Sequence, residues 1–387
     1  MTTKTMGDVH SQYGGFAPGF DFMRVALALS VLAYHCVEII EGNFARFWTT
    51  PGWFMDYAVL PMFFSLSGYL IAASATRLKL KDFLINRGLR IVPALAVEVI
   101  LSAVVLGGVF TTLPKLDYYS SPEFWRYFTN LFGWVNFYLP GVFKDHPETA
   151  VNNSLWTIPW EIMCYGFMSA LIITSVIKKE KLYWIVPAAA LLLWLGYLIG
   201  QDFVFANGPI DGVFFHALHH VFVYRGNVLL ITFLLGIATY LFRDRIPYSW
   251  PLLWFCVGTC AAAACFLPAA WQWTPLSTLI LAPMLVYITM FIGLTKLPNI
   301  PFYSTGDYSY GIYLYGMPVQ QTLFKFFHFE NEWVMLLWST VFSTMFAALS
   351  WHLVEKRVLK LRKKFSFVAE RRLAEESEEA IPATVQS

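Results

Sequence analysis

The chain has 387 residues, of which 57% are hydrophobic and 13% charged, with a formal net charge of +2. Soluble domains carry about 25% charged residues, so the composition excludes a soluble enzyme and a disordered chain. The near-neutral charge, with Lys and Arg in short clusters between apolar blocks, excludes a nucleic-acid-binding domain.

Residues 1–19 are polar, lack the pattern of a cleaved signal peptide and predict a cytoplasmic tail. Apolar blocks then recur up to Glu355. Their length, about 20 residues, suits membrane helices and not the shorter alternating strands of an outer-membrane barrel. Ten spans are predicted, over 20–41, 54–75, 91–112, 156–177, 182–200, 227–242, 250–269, 275–295, 307–327 and 332–354. Twenty of the 27 Lys and Arg residues fall in segments on one side and five on the other, with Arg24 and Lys325 inside spans. By the positive-inside rule both termini are cytoplasmic. The predicted fold is therefore an all-α, polytopic integral membrane protein. Its transmembrane domain covers 20–355, and a basic-then-acidic cytoplasmic tail covers 356–387, whose basic part reads as a surface helix on anionic lipid.

An ionisable residue within a span is costly and marks a functional site. In the first span, Arg24 and His35 lie eleven residues apart, so they project from one helix face about 16 Å apart along the axis. Glu38 follows His35 at i+3, placed to hold the imidazole in one tautomer. The competing reading is that Arg24 snorkels to the headgroups and His35 is a satisfied core residue. In the second span, PMFFSLSGYL (61–70) offers Ser65, Ser67 and Gly68 for close helix packing or, with Ser67, for lining a cavity. The following INRGLRIVPAL carries Arg87 and Arg90 three apart before Pro93, a pair suited to gripping a phosphate-bearing group or to plain membrane anchoring.

Segment 113–155 is too aromatic for a free loop and too interrupted by Pro and Gly for a span, which predicts an interfacial segment or one folded into the bundle mouth. The fourth span opens NNSLWTIPWEIMCYG (152–166), with Trp156 at its entry, Glu161 just inside and Tyr165 at i+4 on the same face. Glu161 and His35 are read at similar depth, which predicts an acid/base pair across the bundle. Trp156, Tyr165, Ser67 and Glu38 are the expected cavity-lining residues. No metal site is expected. Cys256 and Cys260 lack His or carboxylate neighbours at ligand spacing, and His216, His219 and His220 in HALHH lack the further histidine boxes a di-iron site needs. The ninth span opens with the aromatic, Gly-rich GDYSYGIYLYGMP (306–318), suited to lining a cavity or to helix packing.

Taken in order, these motifs resemble the acyltransferase family 3 membrane proteins, bacterial enzymes that O-acylate surface and secreted glycans, over roughly residues 16–360. The resemblance rests on Asp21, Arg24 and His35 in the first span, then on Phe63, Phe64, Ser67 and Gly68. It continues through Arg87, Arg90 and Pro93, and through Ser154, Leu155, Trp156, Thr157 and Glu161 with Tyr165 four residues on, the form common in exopolysaccharide acetyltransferases. The chain departs from the pattern at SYGIYL (309–314), where Tyr315 and Gly316 follow in place of a histidine, and the resemblance does not extend to the esterase-like extracytoplasmic domain of some relatives, which is not expected here.

What the resemblance implies is a membrane O-acyltransferase in the bacterial cytoplasmic (inner) membrane. No bound cofactor is implied. Acyl-CoA, with acetyl-CoA first, is the co-substrate. Arg87 and Arg90 would hold the donor, and Arg24, His35 and Glu161 would be catalytic. His35 would serve as base or as transient acyl carrier, and Glu161 or Glu38 would orient it. The acceptor would be an exopolysaccharide or a lipid-linked glycan, with membrane lipids and polysaccharide export machinery as further partners. Two alternatives use the same residues: a transporter or flippase for a lipid-linked glycan, and a non-catalytic scaffold.

Overall fold

The computed structural model describes residues 4–207, 225–298 and 306–365. His216, His219 and His220, most of the 201–226 segment, and the tail beyond residue 365 lie outside the described residues. Regular structure among the described residues is helical, apart from an isolated bridge between Thr5 and Pro247. The main helices are α1 (Phe20–Glu41), α2 (Trp53–Ala75), α3 (Leu80–Phe110), α4 (Asn153–Ile173), α5 (Ile185–Asn207), α6 (Gly226–Leu241), α7 (Trp250–Phe266), α8 (Pro275–Leu294), α9 (Ser309–Phe327) and α10 (Glu332–Lys360). Seven of them, α1 to α5, α8 and α10, are long and apolar enough to cross a membrane.

The outer surface is apolar. Trp254 and Phe255 on α7 are 64% and 61% exposed, and Trp333 and Leu337 on α10 are 70% and 62% exposed. A water-soluble protein does not carry contiguous apolar surface on this scale. These faces fit the hydrocarbon of a bilayer, and the protein is a multi-pass membrane protein.

α3 differs most from its predicted span. It begins at Leu80, eleven residues before 91, so Arg87 and Arg90 sit on a helix and not in a loop. The charges hide the apolar stripe that makes this stretch helical. Phe83 is fully buried, packed in one cluster with Ile71 and Ala75 at the end of α2 and with Val176 and Ile177 after α4. A π-helical turn over Leu101–Leu106 ends the regular α-helix of α3, and a second one, Trp351–Glu355, interrupts α10.

At the centre of the bundle α2 packs on α6, a helix buried along almost its whole length. Two glycines permit the approach. A Cβ on Gly68 would stand 2.1 Å from the Phe233 carbonyl oxygen, and one on Gly236 would stand 2.1 Å from that of Ser65. The SLSG element therefore serves both of its predicted roles. Gly68 and Ser65 form the helix contact, while Ser67 faces a cavity.

Segment 113–155 folds into the bundle mouth. After the short helices Lys115–Ser120 and Pro122–Tyr127, Asn130 closes the turn: its Nδ2 donates to the Asn136 carbonyl (3.0 Å) and its Oδ1 accepts from the Asn136 amide (2.8 Å). The chain then runs along α9. There Gln321 Nε2 donates to the carbonyls of Glu148 (2.8 Å) and Ala150 (2.6 Å), and Lys325 pairs with Asp145 (2.5 Å). Buried polar backbone without helix or sheet partners must be paired in some such way.

Candidate active site

Among the described residues, two cavities in the bundle sort the predicted site residues into two sets. The arginine cavity, about 150 Å³, is lined by Arg24, Ser67, Arg87, Arg90, Glu161 and Tyr165. The histidine cavity, about 950 Å³, is lined by His35, Glu38 and Trp156, with Asp56 and Arg225. Leu60 from α2 and Tyr313 from α9 line both and form the wall between them.

In the histidine cavity, His35 Nδ1 lies 2.6 Å from Glu38 Oε2. Both residues are on α1, one turn apart, so the helix itself aligns them. A carboxylate only accepts hydrogen bonds, so an ionised Glu38 takes the bond from Nδ1–H, and in the neutral imidazole Nε2 is then the acceptor. Nε2 lies 3.3 Å from Ser154 Oγ. The other Glu38 oxygen accepts from Asn153 Nδ2 at 2.9 Å. A carboxylate so fixed sets the tautomer and orientation of the imidazole and supports a positive charge arriving on it.

The turn that carries Asn153 and Ser154 is itself braced from below. Asn152 Nδ2 donates to Glu98 Oε1 (2.9 Å) and to the Leu314 carbonyl (3.0 Å), and Asn152 Oδ1 accepts from the Ser154 amide (3.1 Å). Tyr313 adds a strut, its hydroxyl donating to the Ser154 carbonyl (2.8 Å) and hydrogen-bonding Thr157 Oγ1 (2.8 Å). Ser154 itself is buried and lines neither cavity.

Charge in the arginine cavity is distributed unevenly. Arg90 pairs with Asp307 at 2.6 Å and approaches Glu355, in the π turn of α10, at 3.7 Å. Arg24 pairs with Asp21 at 3.1 Å and approaches the same Asp307 at 3.7 Å. Asp307 thus ties α1 and α3 to the start of α9. Arg87 differs in having no ion pair within 4 Å among the described residues, and its buried Nε, like Nη1 of Arg90, has no hydrogen-bond partner there. It is the least committed of the three guanidiniums and has donors for an anionic ligand.

Glu161 does not meet His35. It lines the arginine cavity and accepts from Tyr165 Oη at 2.6 Å, while His35 lines the other cavity with Glu38 as its carboxylate. The reason lies in the first turn of α4. Asn153–Thr157 is a 3₁₀ turn, and Trp156 and Glu161, five residues apart, leave the helix on different sides and enter different cavities. Sequence reasoning passed over Asn153, Tyr313, Asp56, Arg225 and Asp307, and gave Ser154 no role beyond its place in the resemblance. Asp56 and Asp307 were open to the argument used for Glu161, a carboxylate at the end of a span, whereas Asn153 and Ser154 are defined only by what they touch.

A helical bundle with an acid-braced imidazole beside an arginine-lined cavity is a membrane protein built for group transfer. The chain belongs to the acyltransferase family described as Acyltransferase domain, which matches residues 18–353. It is 27% identical to the O-acetyl transferase of Shigella phage Sf6, over 88% of this chain and 95% of that protein. It is 26% identical to Nodulation protein 10 of Rhizobium leguminosarum bv. viciae, over 92% of this chain and 97% of that protein. No solved structure matches the chain.

Proposed function

We propose that the protein is an O-acyltransferase of the bacterial inner membrane that moves an acetyl group from cytoplasmic acetyl-CoA to a hydroxyl of an exopolysaccharide or lipid-linked glycan at the outer side. On this reading ten helices cross the membrane with both termini in the cytoplasm, so the arginine cavity faces the cytoplasm and the histidine cavity the outside. The observation that carries it is the shared wall. Leu60 and Tyr313 separate a cavity with an uncommitted guanidinium from one with an acid-braced imidazole. Acetyl-CoA held by its phosphates at Arg87, with Arg24 and Arg90 adding positive charge, extends its acyl arm between Leu60 and Tyr313, so that the thioester carbon meets the hydroxyl on the histidine side.

The chemistry then needs one base. A sugar hydroxyl within about 3 Å of His35 Nε2 attacks the thioester carbon as Nε2 takes its proton. The new ester C–O bond forms, the C–S bond breaks, and the thiolate of CoA leaves with the proton that the imidazolium gives back. Glu38 balances the transient imidazolium. Positioned base catalysis contributes about 10² to 10⁴ in rate. On this reading transfer is direct, with His35 as the base and no acyl-enzyme. Glu161 and Tyr165 shape the donor side.

The test is transfer of label from radioactive acetyl-CoA into glycan or lipid-linked glycan by membranes holding equal amounts of wild type or His35→Ala. Label with wild type and none above background with His35→Ala is expected. Label that survives the substitution places the base elsewhere. Absence of label from any acyl-CoA with a competent acceptor favours a glycan flippase.

A further inference from the structure

The histidine cavity holds a second polar cluster that the chemistry above does not use. Asp56 on α2 lines it with a side chain only 10% exposed, facing Arg225 at the start of α6. Their closest approach is 3.9 Å, beyond hydrogen-bond distance. Arg225 is held by stacking, its guanidinium carbon 5.6 Å from the ring centroids of both Trp156 and Trp273. Trp273 Nε1 and the Tyr34 hydroxyl both lie beside the Asp56 carboxylate, within reach of its oxygens. Tyr34 connects this cluster to the base, with its ring 5.8 Å from that of His35.

We infer that Asp56 and Arg225, with the Trp156 indole, form the acceptor subsite, and that it takes an uncharged sugar ring. This deepens the acyltransferase reading and rests on it. The gap between carboxylate and guanidinium fits a pair of neighbouring hydroxyls, one donating to Asp56 and the other accepting from Arg225. Indole faces supply flat apolar surface for the C–H face of a pyranose, and Trp134, 77% exposed at the cavity edge, extends it. A cavity of about 950 Å³ is at the upper end of the range for small-molecule sites and holds about two sugar rings. Charge selects against acidic sugars. Among the described residues, the lining carries two carboxylates, Glu38 and Asp56, and one permanent cation, Arg225. A uronate here would place a third carboxylate beside them.

The experiment uses the full-length protein in lipid nanodiscs and two readouts. Tryptophan fluorescence reports binding of maltotriose, chitotriose or trigalacturonic acid without donor, and label from radioactive acetyl-CoA reports transfer to the same sugars. Wild type is expected to bind at least one neutral trisaccharide about tenfold or more tighter than trigalacturonic acid. Asp56→Asn and Arg225→Gln should raise the KM of the neutral sugar about tenfold or more and leave the KM of acetyl-CoA where it is. Arg225→Lys, which keeps the charge and loses the planar stack, should lie between them and wild type. His35→Ala should bind the sugar like wild type. Preference for the uronate, no binding of any sugar, or variants that change only the acetyl-CoA KM would overturn the subsite. Sugar binding without transfer by wild type would instead overturn the acyltransferase reading and leave the subsite standing.

Discussion

The arginine cavity and the histidine cavity share a wall and little else. In the arginine cavity the charged groups come from elements far apart in sequence, and most are already neutralised. Asp307 alone engages Arg24 and Arg90, with Glu355 as a further carboxylate beside Arg90. In the histidine cavity the central pair is local, His35 and Glu38 one turn apart on α1, and its surroundings are roomy. The first arrangement suits a ligand that brings its own charge and competes for guanidinium donors. The second suits an uncharged hydroxyl that needs a base already poised. The comparison teaches that conserving charge and presenting chemistry are separable tasks, assigned here to different sides of one tyrosine and one leucine.

The largest expected effect within this comparison comes from the local pair. Glu38→Gln replaces the carboxylate by an amide that can donate to Nδ1 and so favour the wrong tautomer, and kcat should fall about 100-fold with the acetyl-CoA KM little changed. Glu161→Gln, across the wall, should be milder and act mainly on the donor. Steady-state kinetics of the two variants side by side decide the matter. If Glu161→Gln proves the more severe in kcat, the division of labour between the cavities is wrong.

The arginine cavity can be broken in two distinguishable ways. Arg87→Gln removes uncommitted donors and should raise the acetyl-CoA KM about tenfold while the protein accumulates normally. Arg90→Gln leaves Glu355 without its cation and Asp307 with only the longer Arg24 contact, and losing one member of a buried pair costs about 3 to 5 kcal/mol. Its expected signature is reduced folded protein, read by fluorescence-detected size exclusion before any activity is measured. Equal accumulation of both variants, with equal rises in KM, would mean that Arg90 is a donor ligand and not a strut.

Tyr313→Phe tests the wall itself. It removes the hydroxyl that braces the Ser154 carbonyl and Thr157 and leaves the ring in place. With the wall loosened, water from the large cavity reaches the thioester, attacks its carbon and releases acetate and free CoA. The ratio of acetyl-CoA hydrolysis to transfer should rise several-fold, measured by thiol release against labelled glycan. An unchanged ratio would reduce Tyr313 to packing.

How much of this was legible in the sequence follows from how local each feature is. Membrane burial makes every intramembrane charge costly, so Arg24, His35 and Glu161 stood out without a structure, while Arg87 and Arg90 stood out by their i, i+3 spacing in the run before the third span. The His35–Glu38 contact was legible because helix geometry places i and i+3 together. The supposed contact between His35 and Glu161 was not, because it depends on the relative depth and rotation of two helices, and the 3₁₀ turn at Asn153–Thr157 sets the rotation of α4. The start of α3 was misplaced for a related reason: Lys and Arg beyond the apolar block signalled a loop, while the burial of Phe83 that makes it helix is tertiary. The cluster of Asp56, Arg225 and Trp273 brings together residues from three distant stretches of chain, and no spacing rule reaches that far.

The smallest expected effect concerns the segment that roofs the histidine cavity. His146 is buried against α9, where Nδ1 lies 2.7 Å from Gln321 Oε1 and the ring stacks on Phe143 at 4.6 Å. Burial holds its imidazole below the ordinary His range, partly offset by the Gln321 hydrogen bond, with Asp145 raising it and Lys325 and His328 lowering it. An undocked segment would titrate near the ordinary value of about 6.5. The docked form therefore binds fewer protons. Its stability is fully present above about pH 6.5 and is lost as the pH falls below that toward the lowered value. Hydrogen exchange over residues 134–150 should be modestly faster at pH 5.5 than at pH 7.5 after correction for intrinsic rates, and His146→Gln should remove that difference. If the difference persists in His146→Gln, the docking of this segment is controlled by the Lys325–Asp145 pair, and the same measurement on Lys325→Met would then show it.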